Sequence, residues 1–132
     1  MKIFRDKISE LTYSEDDRVL HIKITKNVII SLDDIIEHFE GVKELTGNKK
    51  YVALIDTSNY FKMQPEAFMH YSLEKANVNR IATAFYNPNV ANIVTINFFK
   101  HYFKPPIPVE MFESMTEALA WLNDIKSQSL TA

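Results

Sequence analysis

At 132 residues, with 46% hydrophobic and 24% charged residues, the chain has the length to bury one core and the composition of a soluble globular protein. Its formal net charge of -2 argues against a surface built for nucleic acid or anionic membrane. With no cysteine there is no disulfide, thiolate catalysis or Cys-ligated metal, and two glycines are too few for a glycine-rich phosphate loop.

The first residues, MKIFRDKISE, lack the apolar core of a signal peptide, and no apolar run reaches the roughly 20 residues of a membrane span. A soluble, cytoplasmic protein with no transmembrane segment is expected. Residues 8–14 and 18–25 read as strands; Val19, Leu20, Ile22 and Ile24 carry an alternation, and the polar link SEDD suits an antiparallel hairpin. Ser31 then looks like an N-cap with Asp34 three residues on, and Leu32, Ile35, Ile36 and Phe39 follow at helical spacing up to a stop at Gly47. Asp33 and Asp34 in that first turn suit the helix dipole better than paired catalysis.

YVALID, residues 51–56, is a continuous apolar run and predicts a buried parallel strand. Pro65 starts a helix over EAFMHYSLEKAN, with Phe68, Met69, Ser72 and Ala76 on one face, and VNRIATAFY is the next strand. Asn87 and Pro88 read as an N-cap and first-turn proline opening a helix over 88–103. KPPIP breaks it, VEMF makes a last short strand, and the capping box SMTE precedes ALAWLNDI. The order ββαβαβαβα predicts a single α/β domain over 1–132, a five-stranded mixed sheet with helices packed on it.

From residue 81 to 125 the chain carries an apolar strand, N-P-x-x-x-x-I, the dipeptide Phe98-Phe99, KPPIP, Phe112 and EALAWL. With the hairpin start, this resembles the small bacterial STAS-like proteins of uncharacterised function, related in fold to anti-sigma-factor antagonists and more distantly to CRAL-TRIO lipid-binding domains. In phosphorylated STAS antagonists a strand ending in an acid runs into a loop, and a Ser or Thr at a helix start takes the phosphate. The resemblance places Asp56 at the strand end and the acceptor region on Gln64, Pro65 and Glu66, none of which has a hydroxyl. Thr57 and Ser58 lie too early in the loop, so a conventional phospho-switch is not expected.

Carboxyl ends of parallel strands are where open α/β sheets place ligands, which makes Asp56, with Ser58 and Asn59, a candidate site. The alternative is that Asp56 caps its own loop by accepting backbone N–H groups. His21, His38, His70 and His101 never pair at a metal-ligand spacing and read as scattered surface histidines, and no serine sits in a GxSxG elbow. No catalytic residue, metal or cofactor is expected.

In the helix PNVANIVTINFFKHYF, Val90, Val94, Phe98 and Tyr102 form one stripe, while Ile93, Ile96, Phe99 and Phe103 fall largely on the other side. One stripe packs on the sheet. The other is either buried by neighbouring helices and KPPIP or exposed for a partner; Phe99 and Phe103, with Lys100 and Lys104 as a basic rim, are the candidates. The leading expectation is a non-enzymatic binding or regulatory module acting by protein contact or self-association, for instance as a homodimer. The alternative is a small carrier of an apolar or lipid-like ligand beside helix 88–103.

Overall fold

The computed structural model describes residues 1–73 and 75–130. In chain order the elements are β1 (Lys2–Arg5), β2 (Ser9–Ser14), β3 (Val19–Ile24), β4 (Val28–Ile30), α1 (Leu32–Thr46), β5 (Tyr51–Asp56), β6 (Phe61–Met63), α2 (Pro65–Tyr71), β7 (Arg80–Tyr86), α3 (Val90–Phe98), β8 (Val109–Phe112) and α4 (Met115–Leu130). A 3-10 turn (Lys75–Asn77) follows α2, and a π-helical turn (Phe99–Phe103) continues α3. The main sheet runs β1-β2-β3-β5-β7-β8, antiparallel through the first three strands and parallel from β3 to β8.

The sheet thus has six strands rather than five. The addition, β1, is a four-residue edge strand with little alternation to reveal it. Arg5–Glu10 (2.7 Å) and Lys2–Glu15 (3.7 Å) put charges along that edge, a common protection against edge-to-edge pairing. A second, two-stranded parallel sheet of β4 and β6 also escapes the pattern, since three residues show no period.

Side-chain alternation sorts the core onto two faces. Leu11, Tyr13, Leu20, Ile22, Ala53, Ile55 and Phe85 point toward α1, α2 and α3, whereas Val52, Leu54, Ala82 and Ala84 point toward Ala118 and Leu122 of α4. β5 is covered on both faces, which is why YVALID reads as apolar without a break. Gly41 lets α1 approach β1: a Cβ there would sit 2.5 Å from the Phe4 ring.

The helix ends follow local chemistry. Ser31 and Asp34 form a reciprocal capping box, and Gly47 closes α1 in the left-handed region (φ 61°) with its N–H on Lys43 O. α2 is shorter than expected, stopping at Tyr71; Asn77 Nδ2 donates to the carbonyls of Tyr71 and Leu73, and Glu74 lies outside the described residues. Its buried side chains are Ala67 and Tyr71, while Met69 is exposed. α3 begins at Val90, not Pro88: Asn89 is its N-cap, accepting from Asn92 N, and Asn87 turns the chain with φ 53°.

Under α1 and α2, Arg80 is 2% exposed. Its guanidinium donates from Nε to Tyr51 Oη (3.1 Å) and from Nη1 to Tyr71 Oη (3.0 Å), and lies 5.3–5.7 Å from the ring centres of Phe39, Tyr51 and Tyr71. Among the described residues no carboxylate pairs with it, and Nη2 has no partner.

Candidate functional site

The structure decides between the two apolar stripes of α3. Ile96 and Phe99 are buried and Phe103 is half-buried, stacked on Phe68 with centroids 5.3 Å apart and planes 12° apart. Val90, Val94, Phe98 and Tyr102 are 81%, 69%, 43% and 73% exposed, so this second stripe faces solvent. Asn92 makes the choice. Fully buried, it donates from Nδ2 to Thr57 O (2.6 Å) and Asn59 O (2.7 Å) and accepts from Phe61 N (3.3 Å). A buried amide without these partners would cost about 1–3 kcal/mol, which fixes the helix with the Asn92 and Ile96 side inward.

Of the residues expected to bind, Phe99 is therefore core and Phe103 an aromatic packing contact. Lys100 pairs with Glu110 (3.2 Å) instead of forming a free rim with Lys104, which is exposed and ends the π-helical turn with φ 46°. Single π turns inside helices recur at functional sites. Here the turn sets Tyr102 flat on Phe98 (5.0 Å, 18°), extending the exposed stripe.

The loop after β5 is tied on both sides. Asp56 Oδ1 accepts from Ser58 N (2.9 Å), Asn89 Nδ2 donates to Ser58 O (3.1 Å), and Asn59 Nδ2 donates to Ile24 O (3.0 Å). Asp56 also stands beside Tyr86 in the register of β5 and β7. Burial, and after it the Asp56 charge, push the Tyr86 phenol up to about 12. Tyr86 Oη lies 2.6 Å from Nε2 of His21. Burial, then Lys23, holds the His21 imidazole below its ordinary 6.5, against the pull of Asp56 and Glu10.

His21 and His38 are thus not surface histidines. His38 is 4% exposed, with Nδ1 2.8 Å from Asp6 Oδ2 and 3.1 Å from Ser9 Oγ. Asp6 Oδ1 accepts from Ile8 N, Ser9 N and Ser9 Oγ. Burial alone would raise the Asp6 carboxyl, but the hydrogen bond and charge of His38, with Ser9 and Ile8, hold it below the usual carboxylate value. A carboxylate 32 positions from its imidazole leaves no local signal, so this cluster has no signature in the sequence.

Beside it, between the helical layer and the sheet, lies an apolar cavity of about 50 Å3. Ile22, Ile24, Ile55 and Phe85 form its sheet side; Ile35, His38, Phe68, Ile96 and Phe99 form its helical side; Ile30, Phe61 and Met63 of the small sheet close one end. On the other side of Ser9 and Ile24 an open polar cleft of about 320 Å3 is lined by Arg5, Asp6, Glu10, Lys23, Thr25 and Asn59. Among the described residues no three His, Asp or Glu side chains are placed to hold a metal, and no helix is long and apolar enough to cross a membrane.

Residues 12–126 match the family model described as a domain of unknown function, DUF7793. The chain belongs to that family. No curated protein matches it. Among solved structures it is similar to an uncharacterized protein of the DUF3478 family with a SpoIIAA-like fold from Shewanella loihica PV-4, at 18% identity and a TM-score of 0.61, over 86% of this chain and 91% of that one. The DUF7793 chain therefore has the STAS-like fold that its KPPIP and EALAWL segments suggest, and at this identity the likeness speaks for the fold alone.

Proposed function

We propose that this DUF7793 chain is a single-domain binding module that works by protein contact through the outer ridge of α3, with a second copy of itself as the first partner. The observation that supports it is the spacing of Val90, Val94, Phe98 and Tyr102. They stand at i, i+4, i+8 and i+12 on a helix whose opposite side is core, and all four are exposed. Such a row is an i±4n ridge about 18 Å long, the surface that packs between ridges of a facing helix and that a twofold axis pairs with itself. Surface leucines and valines scattered singly carry no meaning, but a continuous row with no charge in it does.

Multi-angle light scattering over a concentration series tests this. The wild type is expected to show a mass above the monomer that falls to the monomer in Val94→Asp and Tyr102→Asp. A strict monomer, indifferent to both substitutions, would refute it.

A second reading, as a carrier of a small apolar ligand, is favoured by the cavity under α3, which lies at the carboxyl ends of β3, β5 and β7 where α/β sheets bind ligands. Native mass spectrometry of freshly purified protein would show a co-purified apolar molecule; bare protein in every preparation counts against this reading.

A further inference from the structure

Between α1, α2 and the 3-10 turn lies a separate cleft of about 270 Å3, which shares no lining residue with the cavity under α3. We propose that this cleft binds a small carboxylate with an apolar body, such as a single ring. The site is independent of the α3 ridge and of the carrier reading.

The cleft suits the apolar body. Ile36 and Phe39 come from α1, Ala76 and Val78 from the segment after α2, and the buried Tyr51 from the start of β5. Val78 is 74% exposed and Ile36 36%, so apolar side chains from two elements stand in water around one hollow. A ring placed among them covers that surface, and the size suits a ligand smaller than a drug molecule.

The charge beneath the cleft suits a carboxylate. Arg80 stands opposite Tyr51 in the register of β5 and β7, and its guanidinium lies 5.3 and 5.5 Å from the ring centres of Phe39 and Tyr51. Both rings line the cleft; Arg80 stays behind them and acts through its field. Its partners are the phenols of Tyr51 and Tyr71, and burial raises the Tyr71 phenol above its ordinary 10.0, which keeps it neutral. The guanidinium is always ionised, and among the described residues no carboxylate pairs with it. A buried charge behind low-dielectric rings is poorly screened on their far side. At the rim stand Lys43 and Glu40, each without an ion-pair partner among the described residues. With His70 counted as neutral, the cleft faces two cations and one anion, a surplus that one carboxylate balances.

Amide NMR titrations of the full chain with benzoate, benzyl alcohol and benzylammonium test the proposal, since the three differ mainly in charge. Saturable shifts at Lys43, Val78 and Asn79 are expected, tightest with benzoate and weakest with benzylammonium. Arg80→Met should weaken benzoate by roughly 3–10-fold and leave benzyl alcohol unchanged. Should Arg80→Met fail to fold, the exposed Lys43→Met decides. A benzoate preference that survives Lys43→Met supports Arg80 as its source, and one that vanishes would overturn the role of Arg80. Benzyl alcohol binding as tightly as benzoate to the wild type would overturn the carboxylate assignment, and no saturable shift with any probe would overturn the site.

Discussion

His38 Nδ1 lies 2.8 Å from Oδ2 of Asp6, joining α1 to the turn between β1 and β2, and both side chains are at most 5% exposed. The pair fastens the edge strand to the helical layer, and Ser9 bridges it.

This contact carries a pH signature. Folding lowers the Asp6 pKa from 3.8, so the ionised carboxylate stabilises the fold fully above that value, and the contribution disappears as pH falls through the lower folded one. Asp6→Asn should cost about 2 kcal/mol at pH 7 through the loss of charge-assisted hydrogen bonds. Urea titrations of both proteins at descending pH should show this gap closing in acid. A gap that stays constant at every pH would refute the role of the ionised form.

Asn92 fastens α3 to the loop after β5 through three hydrogen bonds. Asn92→Ala takes the side-chain partner from Phe61 N and from the part-buried Asn59 O and leaves Thr57 O with Asn89 N alone, and a loss on the order of 2 kcal/mol is expected. Thermal unfolding followed by circular dichroism measures it. A change under about 0.5 kcal/mol, the size typical of surface substitutions, would mean that the amide does not fix the helix.

The Arg80 cage makes a less intuitive prediction. Lysine keeps the charge but is more strongly hydrated and lacks the fork that reaches both Tyr51 and Tyr71, so Arg80→Lys should lose about 2 kcal/mol or more. Arg80→Met removes a buried charge that has no described counter-ion and should cost less than the lysine change. Chemical denaturation ranks the two, and the reverse order would contradict the account of the cage.

Tyr13 is 1% exposed and its Oη has no hydrogen-bond partner among the described residues. Tyr13→Phe should therefore leave stability unchanged or raise it by up to about 1 kcal/mol. A clear loss in the same denaturation assay would reveal a partner for that hydroxyl.

Much of the architecture is legible in the sequence because its causes are local. Ser31 with Asp34, Gly47, and Ser114 with Glu117 mark helix ends through contacts three or four residues apart, and YVALID declares a strand buried on both faces. What is not legible depends on long-range pairing. β1, β4 and β6 are too short to show a period. The inward stripe of α3 is chosen by Asn92 bonding to a loop more than 30 positions away. Apolar periodicity finds both stripes and cannot rank them, so Phe99, a candidate for a partner contact, turns out to be in the core. His38, Asp6 and Ser9 meet only when α1 folds over the β1–β2 turn.

The chain has no cysteine, which allows a direct test of the outer ridge of α3 as a contact surface. Val94→Cys places a thiol in the middle of that ridge, and Asp16→Cys places one on an exposed turn away from α3. Under mild oxidation at equal concentration, the Val94→Cys protein is predicted to form a disulfide-linked dimer well ahead of the Asp16→Cys control. Equal, slow cross-linking of both would contradict the central claim that α3 pairs with its own copy.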